Sequence, residues 1–129
     1  MRLLISFLIL SFGLSAQVGT GQWRLHVPSN KAIRVVAQSD RVFAAYGNGV
    51  AEYEYSSGEL SIWDAVNSLS DISLSCIGYS SSSDAVFIGY ENGNIDRIKS
   101  NSLVNLPAIN LAQIQGSKRI NSFVEYQGY

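Results

Sequence analysis

The sequence predicts an all-β protein whose four-stranded antiparallel sheets recur along the chain, as the blades of a β-propeller do. Short runs of strand-forming residues alternate with Gly, Ser, Asn and Asp, the residues that form tight turns. The stretch FAAYGNGVAE at Phe43–Glu52 also resembles FIGYENGNID at Phe87–Asp96. A unit that recurs after roughly 40 residues is typical of propeller blades.

Composition limits the classes of function that the chain can have. Of its 129 residues, 47% are hydrophobic and 15% are charged, which favours a packed domain over disorder. The formal net charge is −1 and no basic run occurs, which argues against a nucleic-acid surface. The single cysteine, Cys76, cannot form an internal disulfide, so packing alone must stabilise the fold.

Residues 1–16 have the organisation of a secretory signal peptide. Arg2 precedes an apolar run over Leu3–Leu14, and the small residues Ser15 and Ala16 precede the expected cleavage before Gln17. A membrane anchor is the alternative, but a run of about 12 residues falls short of the roughly 20 that a spanning helix needs. The mature chain is therefore expected to be exported.

Residues 17–31 contain one further strand signal. In QWRLHV, at Gln22–Val27, Trp23, Leu25 and Val27 share one face of an alternating pattern. We expect this run to supply the outer strand that closes the last blade of the propeller.

Blade 1 is expected over residues 32–64. Asn48-Gly49 suits a tight hairpin turn, because both residues tolerate a positive φ. The strand VAEYEY alternates between an Ala–Tyr–Tyr face and a Val–Glu–Glu face, so one of its faces is expected to be wet. The four predicted strands are Ile33–Gln38, Val42–Tyr46, Val50–Tyr55 and Leu60–Trp63.

A linker at residues 65–73 separates blade 1 from blade 2, which is expected over residues 74–106. The continuous apolar run AVFIGY predicts a strand that is covered on both faces. The aligned positions place Val36, Ile77 and Val124 at equivalent points of successive repeats. The predicted strands of blade 2 are Leu74–Tyr79, Ala85–Tyr90, Asn94–Lys99 and Leu103–Asn105.

Residues 107–129 are expected to form a connector and the start of blade 3. RINSFVEYQGY, at residues 119–129, resembles the first strand of another repeat. Because propellers typically contain about four to eight blades, the sequence predicts an incomplete propeller, the N-terminal piece of a longer protein.

Two residues with reactive side chains are better explained by packing. Cys76 aligns with Val35 on a first strand, where a small buried side chain is wanted. His26 lies on an alternating strand and has no second histidine with which to share a metal ion. Neither residue is therefore assigned a catalytic role.

Two groups of oxygen-bearing side chains also have ordinary interpretations. Asn92, Asn94 and Asp96 have the spacing of calcium ligands, but Arg97 follows where a calcium loop needs glycine, so a hairpin turn is expected. Asp64 and Asp71 could form the carboxylate pair of a glycosidase, although loop carboxylates that cap turns are far commoner. No catalytic, cofactor or metal site is predicted.

The aromatic residues are expected to pack. Tyr46 and Tyr90 recur at the same blade position, which packing explains. Trp23 and Trp63 could stack on sugar rings, but aromatic residues of edge strands more often cover the core. The ligand-binding residues stay open.

A family resemblance is carried by Gln22-Trp23-Arg24 with His26, Leu69-Ser70-Asp71, Cys76-Ile77-Gly78-Tyr79, Ile88-Gly89-Tyr90-Glu91-Asn92-Gly93-Asn94-Ile95-Asp96, Asn105-Leu106-Pro107-Ala108-Ile109, and Gly116-Ser117-Lys118 with Ile120-Asn121. In this order the stretches resemble the N-terminal β-propeller of the PorZ family, from the type IX secretion system of Bacteroidetes. The likeness extends from about Gln22 to the end, and Ser68 departs from it where the family pattern suggests glycine.

The resemblance implies a non-enzymatic protein of the cell surface, associated with the outer membrane. It implies as partners the sortase-like protease PorU and outer-membrane components of the secretion system, with anionic lipopolysaccharide as a further ligand. Similar blades also form the periplasmic sensors of hybrid two-component regulators, which is the alternative function. A propeller hydrolase or lyase acting through Asp64 or Asp71 is the third.

Overall fold

Two four-stranded antiparallel sheets follow one another along the chain in the computed structural model, which describes residues 31–126. The predicted signal peptide and the strand Gln22–Val27 lie outside these residues. The strands of each sheet are in sequential order. The first sheet contains β1 (Ala32–Ala37), β2 (Arg41–Tyr46), β3 (Gly49–Glu54) and β4 (Leu60–Asp64), and the second contains β5 (Leu74–Ser80), β6 (Ala85–Tyr90), β7 (Ile95–Lys99) and β8 (Ser102–Asn105).

This architecture confirms the predicted all-β class with repeated four-stranded meanders. Within residues 31–126 each sheet is open and the strands do not close into a barrel. The predicted strand positions agree with the observed ones to within a residue or two at each end.

The hydrophobic core lies between the two sheets. Phe43 and Val50 of the first sheet, with Ile77 and Ile88 of the second, are at most 1% exposed. Leu69, from the connector between the sheets, completes the same cluster. Each such side chain contributes roughly 1.5–3 kcal/mol on burial, so the contact between the sheets is a major source of stability.

The register of the sheets corrects one predicted equivalence. The pairing of β1 with β2 is irregular between Ala32 and Arg34, and that of β5 with β6 is irregular in the same way between Leu74 and Cys76. Val35 lies opposite Ala44, as Ile77 lies opposite Ile88.

Val35, and not Val36, is therefore the counterpart of Ile77. The predicted equivalence was wrong by one residue, because matching apolar runs does not reveal on which face each member lies. By the same register Arg34, and not Val35, is the counterpart of Cys76. Val124, the third predicted counterpart, is 84% exposed.

The faces of β3 also differ in burial. The face that carries Val50 and Glu52 is turned toward the second sheet, and both side chains are buried. Tyr53 and Tyr55 lie on the solvent side, with their rings in an edge-to-face contact. The alternation was predicted correctly, and the exposed face is the apolar one.

The two Asn-Gly pairs form different turns. In the first sheet Tyr46 pairs with Gly49, so Gly47 and Asn48 form a two-residue hairpin loop, and neither residue has a positive φ. In the second sheet the loop is longer, and Gly93 has a φ of +86°. The predicted tight hairpin is confirmed, but its loop is Gly47-Asn48 and needs no positive φ, because Gly49 pairs with Tyr46 in the ladder.

Residues 106–126 lie against the second sheet. The short helix α1 (Ala108–Leu111) follows Pro107. No strand forms over residues 119–126, where the first strand of a third repeat was predicted. Instead, Ile120 and Phe123 pack on the sheet face that the first sheet does not cover, beside a mainly apolar cavity of about 390 Å³.

Candidate functional site

Cys76 is a buried core residue, as the sequence predicted. It is 3% exposed and pairs across the strands with Gly89, and its sulfur and Ile120 both lie close to that glycine. Burial raises the pKa of the thiol, which disfavours the reactive thiolate.

Asn92 and Asn94 shape the turn between β6 and β7. The Asn92 side-chain oxygen accepts a hydrogen bond from the Asn94 N–H at 3.0 Å. The Asn94 side-chain oxygen accepts hydrogen bonds from the Asn105 amide at 2.9 Å and from the Ile95 N–H at 3.1 Å. These oxygens are engaged by donors of the protein, in agreement with the predicted hairpin.

Asp96, the third residue of that spacing, lies in the interior of the second sheet with no exposed surface. Its carboxylate accepts hydrogen bonds from the Tyr90 hydroxyl at 2.6 Å, the Ser70 N–H at 2.8 Å and the Asn105 amide at 2.8 Å. A buried carboxylate is tolerated when several donors compensate for its lost hydration. Asp96 therefore fixes the connector to the second sheet.

Asp64 and Asp71 hold separate turns. One carboxylate oxygen of Asp64 accepts hydrogen bonds from the N–H groups of Val66 and Asn67, each at 2.9 Å. Asp71 accepts a hydrogen bond from the Asn92 amide. The hydrogen bonds give Asp64, at the end of β4, and Asp71, in the connector, separate structural roles and do not bring them onto a common partner.

Tyr46 and Tyr90 occupy corresponding ends of β2 and β6 in different surroundings. Tyr90 is completely buried, and burial together with the hydrogen bond to Asp96 raises its pKa far above the ordinary value. Tyr46 is half-buried, and burial followed by the charge of Asp64 raises its pKa. Packing explains both residues, as expected.

Trp63 covers the core, and its polar atom has a partner. The indole packs against the core cluster, and its N–H donates a hydrogen bond to Glu52 at 2.6 Å. The same buried carboxylate forms an ion pair with Arg41 at 2.9 Å. Trp23 and His26, the other aromatic and basic candidates, lie outside the described residues.

A polar groove lies between the two sheets at the end where the β1–β2 and β7–β8 turns meet. It consists of two cavities, of about 160 Å³ and about 150 Å³, which have Arg41 as a common wall. We call this feature the Arg41 groove. Its main polar lining residues are Gln38, Asp40, Arg41, Glu54, Asp84 and Lys99.

Arg41 organises the walls of this groove. Its guanidinium lies 2.9 Å from Glu52 and 3.5 Å from Glu54, and it donates a hydrogen bond to the Asn101 side chain of the second sheet. The side chain is only 20% exposed, so these contacts are partly shielded from solvent. The ion pairs hold the groove in one shape.

A second hydrogen-bonded contact between the sheets, at Asp84, forms part of the wall of the Arg41 groove. The Gln38 amide donates to the Asp84 carboxylate at 2.6 Å, and the Tyr79 hydroxyl donates to it at 2.9 Å. These hydrogen bonds, that of Gln38 first, lower the pKa of Asp84. Asp84 therefore stays ionised at neutral pH and can accept further donors.

The groove has the chemistry of a recognition surface. It presents fixed carboxylates, one arginine and one lysine, but its charged groups are mostly paired with each other. Among residues 31–126 no group of three or more His, Cys, Asp or Glu side chains could hold a metal ion. In the same range, no helix has the length and apolar character that crossing a membrane requires.

The sequence did not identify the groove residues. Arg41 and Glu52 lie on the paired strands β2 and β3, and only the stacking of the sheets adds Asp84 of the second sheet to them. The available signal was Glu52, a charged residue on the face of β3 that carries Val50 and so faces the core.

Comparison with known proteins identifies the repeats. The family model of the PorZ N-terminal beta-propeller domain (TSS9) matches residues 42–129, more than half of the chain. A solved structure of PorZ, described as an essential bacterial surface component of the type-IX secretion system of Porphyromonas gingivalis, is 29% identical, with a TM-score of 0.58. The match covers 64% of this chain and 11% of that one.

A search of curated proteins gives no match. The two sheets, their stacking and the extent of the family match agree with one another. The chain therefore belongs to the family of PorZ N-terminal β-propeller domains of the type IX secretion system.

Proposed function

We propose that this chain is part of a non-enzymatic cell-surface component of the type IX secretion machinery. The family match over residues 42–129 is the observation that carries the proposal. The solved PorZ of P. gingivalis, which is described as a surface component, supports a location at the outer membrane. The partners implied are the sortase-like PorU and outer-membrane components, and anionic lipopolysaccharide is a further ligand.

The form of the domain suits such a role. In this proposal residues 32–64 and 74–106 are blades 1 and 2, residues 65–73 are the linker, and residues 107–129 are a connector and the start of blade 3. A rigid stack of blades presents turns at both ends, and such turns commonly carry recognition. The Arg41 groove is a polar surface at one of these ends.

Co-isolation from cells tests the secretion role. The full-length protein that carries this domain is purified from the cell surface under mild detergent, and its partners are identified by mass spectrometry. The proposal predicts recovery of a sortase-like protease with outer-membrane secretion components. Their consistent absence, or instead the presence of a transmembrane kinase in the same polypeptide, would exclude it.

Charge reversal tests whether the Arg41 groove takes part. Lys99 is exposed in the groove, whereas Lys31 is exposed before β1 and outside it. We expect Lys99→Glu to reduce partner recovery severalfold and Lys31→Glu to leave it unchanged. Equal recovery with both variants would place the contact surface elsewhere while leaving the secretion role intact.

A further inference from the structure

The two aligned Asn-Gly pairs differ in how firmly the asparagine side chain is held. Within residues 31–126 the Asn48 side chain takes part in no hydrogen bond. The Asn92 side chain is bonded at both of its polar atoms, because its oxygen accepts from the Asn94 N–H at 3.0 Å and its amide donates to Asp71. The same dipeptide therefore has a free asparagine side chain in the first sheet and a fixed one in the second.

An asparagine that precedes glycine can lose its side-chain amide without a catalyst. The glycine nitrogen attacks the asparagine Cγ, and the new C–N bond closes a five-membered succinimide ring. The amide nitrogen leaves as ammonia and takes the proton of the glycine N–H with it. Water then opens either of the two ring C–N bonds, which leaves aspartate or isoaspartate. Glycine favours the first step because it has no Cβ to obstruct the approach.

We propose that Asn48 is a site of spontaneous deamidation and that the structure protects Asn92 from the same reaction. The attack requires the asparagine side chain to rotate toward the following backbone nitrogen. Asn48 can rotate without breaking a hydrogen bond of its side chain within residues 31–126. Asn92 has to lose two such bonds first. The reaction does not depend on the secretion role proposed above.

The glycine side of the reaction is held in a similar way in the two turns. Gly49 pairs with Tyr46 in the ladder. The Gly93 N–H donates a hydrogen bond to the Tyr90 carbonyl at 3.2 Å. Both glycines are buried. Each attack therefore needs a brief local opening of the turn, and the contacts of the asparagine decide which site reacts faster.

Local opening is also harder at Asn92, because the C-terminal segment covers its turn. The Asn92 carbonyl accepts a hydrogen bond from the Asn110 amide at 3.1 Å. A Cβ on Gly93 would lie 2.8 Å from the Lys118 Cβ and 2.9 Å from the Lys118 carbonyl oxygen. In the first sheet Gly47, the loop residue before Asn48, is exposed. The hydrogen bonds of Asn92 together predict that it converts at least about tenfold more slowly than Asn48.

Conversion of Asn48 alters a loop that also connects the two sheets. The Gly47 carbonyl accepts a hydrogen bond from the N–H of Leu74, the first residue of β5, at 3.0 Å. Isoaspartate adds one carbon atom to the main chain of this two-residue loop, and aspartate adds a negative charge. We expect isoaspartate to weaken the contact between the sheets, because the length of the loop fixes the position of the Gly47 carbonyl.

Peptide mapping of the full-length protein that carries this domain tests the proposal, because one sample reports both asparagines. Cleavage after arginine and glutamate places Asn48 on peptide 42–52 and Asn92 on peptide 92–97. The folded protein is incubated at mildly alkaline pH. Mass spectrometry then measures the conversion of each amide to an acid, and an isoaspartyl methyltransferase assay detects isoaspartate. We expect conversion at least about tenfold faster at Asn48. Equal rates, or a faster rate at Asn92, would overturn the proposal.

Incubation in urea removes the structural difference between the two sites. Both asparagines are then expected to convert at rates within about twofold of each other, because glycine follows each of them and the fold no longer holds either. A difference as large in urea as in the folded protein would show that the neighbouring sequence sets the rates, and it would contradict the proposal.

A substitution pair tests the protection of Asn92. Asp71→Ala removes the acceptor of the Asn92 amide, whereas Asp40→Ala removes a carboxylate in the turn between β1 and β2. We expect Asp71→Ala to raise the conversion of Asn92 severalfold and to leave Asn48 unchanged. Asp40→Ala should change neither rate. Should Asp71→Ala impair folding, Asn110→Ala removes the hydrogen bond to the Asn92 carbonyl and carries the same expectation. A folded variant in which Asn92 converts no faster would contradict the proposed protection.

Discussion

Asp96 shows how a single charged residue can be part of the core. The carboxylate has no exposed surface, and its three hydrogen-bond donors come from β6, β8 and the connector before β5. Its position therefore joins parts of the chain that are distant in sequence. Removing one donor is expected to destabilise the protein more than removal of a similar bond at the surface, because the buried acceptor stays unpaired.

Two tyrosines provide a matched test of this difference. Tyr90 donates to buried Asp96, whereas Tyr79 donates to exposed Asp84. Tyr90→Phe is expected to lower the free energy of unfolding by about 1–3 kcal/mol, and Tyr79→Phe by well under about 1 kcal/mol. Urea unfolding followed by circular dichroism measures both values, and equal losses would show that the Asp96 site is not dry.

Glu125 gives the docked C-terminal segment a pH dependence. Hydrogen bonds from the Ser82 side chain and from the N–H groups of Ser81 and Ser82 lower its pKa below the ordinary carboxyl value. A lowered folded-state pKa stabilises docking at pH values above the ordinary carboxyl pKa, and this stabilisation is lost as the pH falls through the lowered value.

Amide hydrogen exchange of residues 117–126, measured at neutral pH and in acid, checks this expectation. After correction for the intrinsic rates, protection of these amides should fall in acid in the parent chain. Glu125→Gln should show weaker protection at neutral pH and little further change in acid. Equal protection in both chains at every pH would rule out the carboxylate as the anchor.

The sequence predicted the burial and packing of individual residues well where a local pattern determined their surroundings. The burial of Cys76 and the packing role of Tyr90 followed from their places in strands. The partners of Asp96 and Arg41 did not, because Ser70 and Asn101 reach them from distant parts of the chain. Hydrogen bonds of this kind depend on the stacking of elements, which a residue pattern does not specify.

At the level of elements, the two aligned Asn-Gly pairs show that similar sequences can form different loops. Gly93 has a positive φ, and a Cβ there would lie 2.8 Å from the Lys118 Cβ. Gly49, the counterpart of Gly93 in the first sheet, pairs with Tyr46 in the ladder and has no positive φ. Gly47, in the two-residue loop before it, also has no positive φ, and a Cβ there would meet open space. The register that tells them apart comes from pairing with the neighbouring strand.

Alanine substitution distinguishes these loops. Gly93→Ala is expected to cost more than about 1 kcal/mol, because the backbone conformation and the contact with Lys118 both oppose a side chain. Gly47→Ala is expected to lie within about 0.5 kcal/mol of the parent chain. Thermal unfolding of the two variants measures the difference, and equal stability would contradict the observed turn at Gly93.

A second glycine controls how the C-terminal segment packs. A Cβ on Gly78 would lie 2.7 Å from the Phe123 Cβ, so there is no space for a methyl group between β5 and the segment. Gly78→Ala is expected to cost about 1–3 kcal/mol through overpacking. Faster trypsin cleavage after Lys118 and Arg119, without loss of the sheet signal in circular dichroism, would show that only the segment is displaced.

Strands were the elements that the sequence predicted best, since turn residues separate alternating or apolar runs. Their register and faces were harder to predict. Val35 and Val36 are equally apolar, and only the irregular pairing after Ala32 decides which of them is the counterpart of Ile77. The first strand of a third repeat, predicted over residues 119–129, forms no ladder within the described part, where Ile120 and Phe123 pack by their side chains.

On the scale of the whole molecule, the hydrophobic core and the Arg41 groove come from the same arrangement. Stacking the sheets buries Phe43, Val50, Ile77 and Ile88, and it also brings the turns that line the Arg41 groove together. The repeat pattern made this stacking predictable from the sequence. The groove was not predictable, because its walls belong to different repeats.

Cross-linking between the sheets tests the stacked arrangement most directly. The side chains of Gln38 and Asp84 are hydrogen bonded at 2.6 Å between the two sheets. Val66 follows β4 in the connector, at the other end of the sheets from Asp84, and the strands between the two ends are about 20 Å long. In a Cys76→Ala background, Gln38→Cys with Asp84→Cys is treated with a short bifunctional thiol reagent, and Val66→Cys with Asp84→Cys is the control. Stacked sheets predict an intramolecular link in the first pair and little in the control, and equal linking of both pairs, or none in the first, would contradict the stacking.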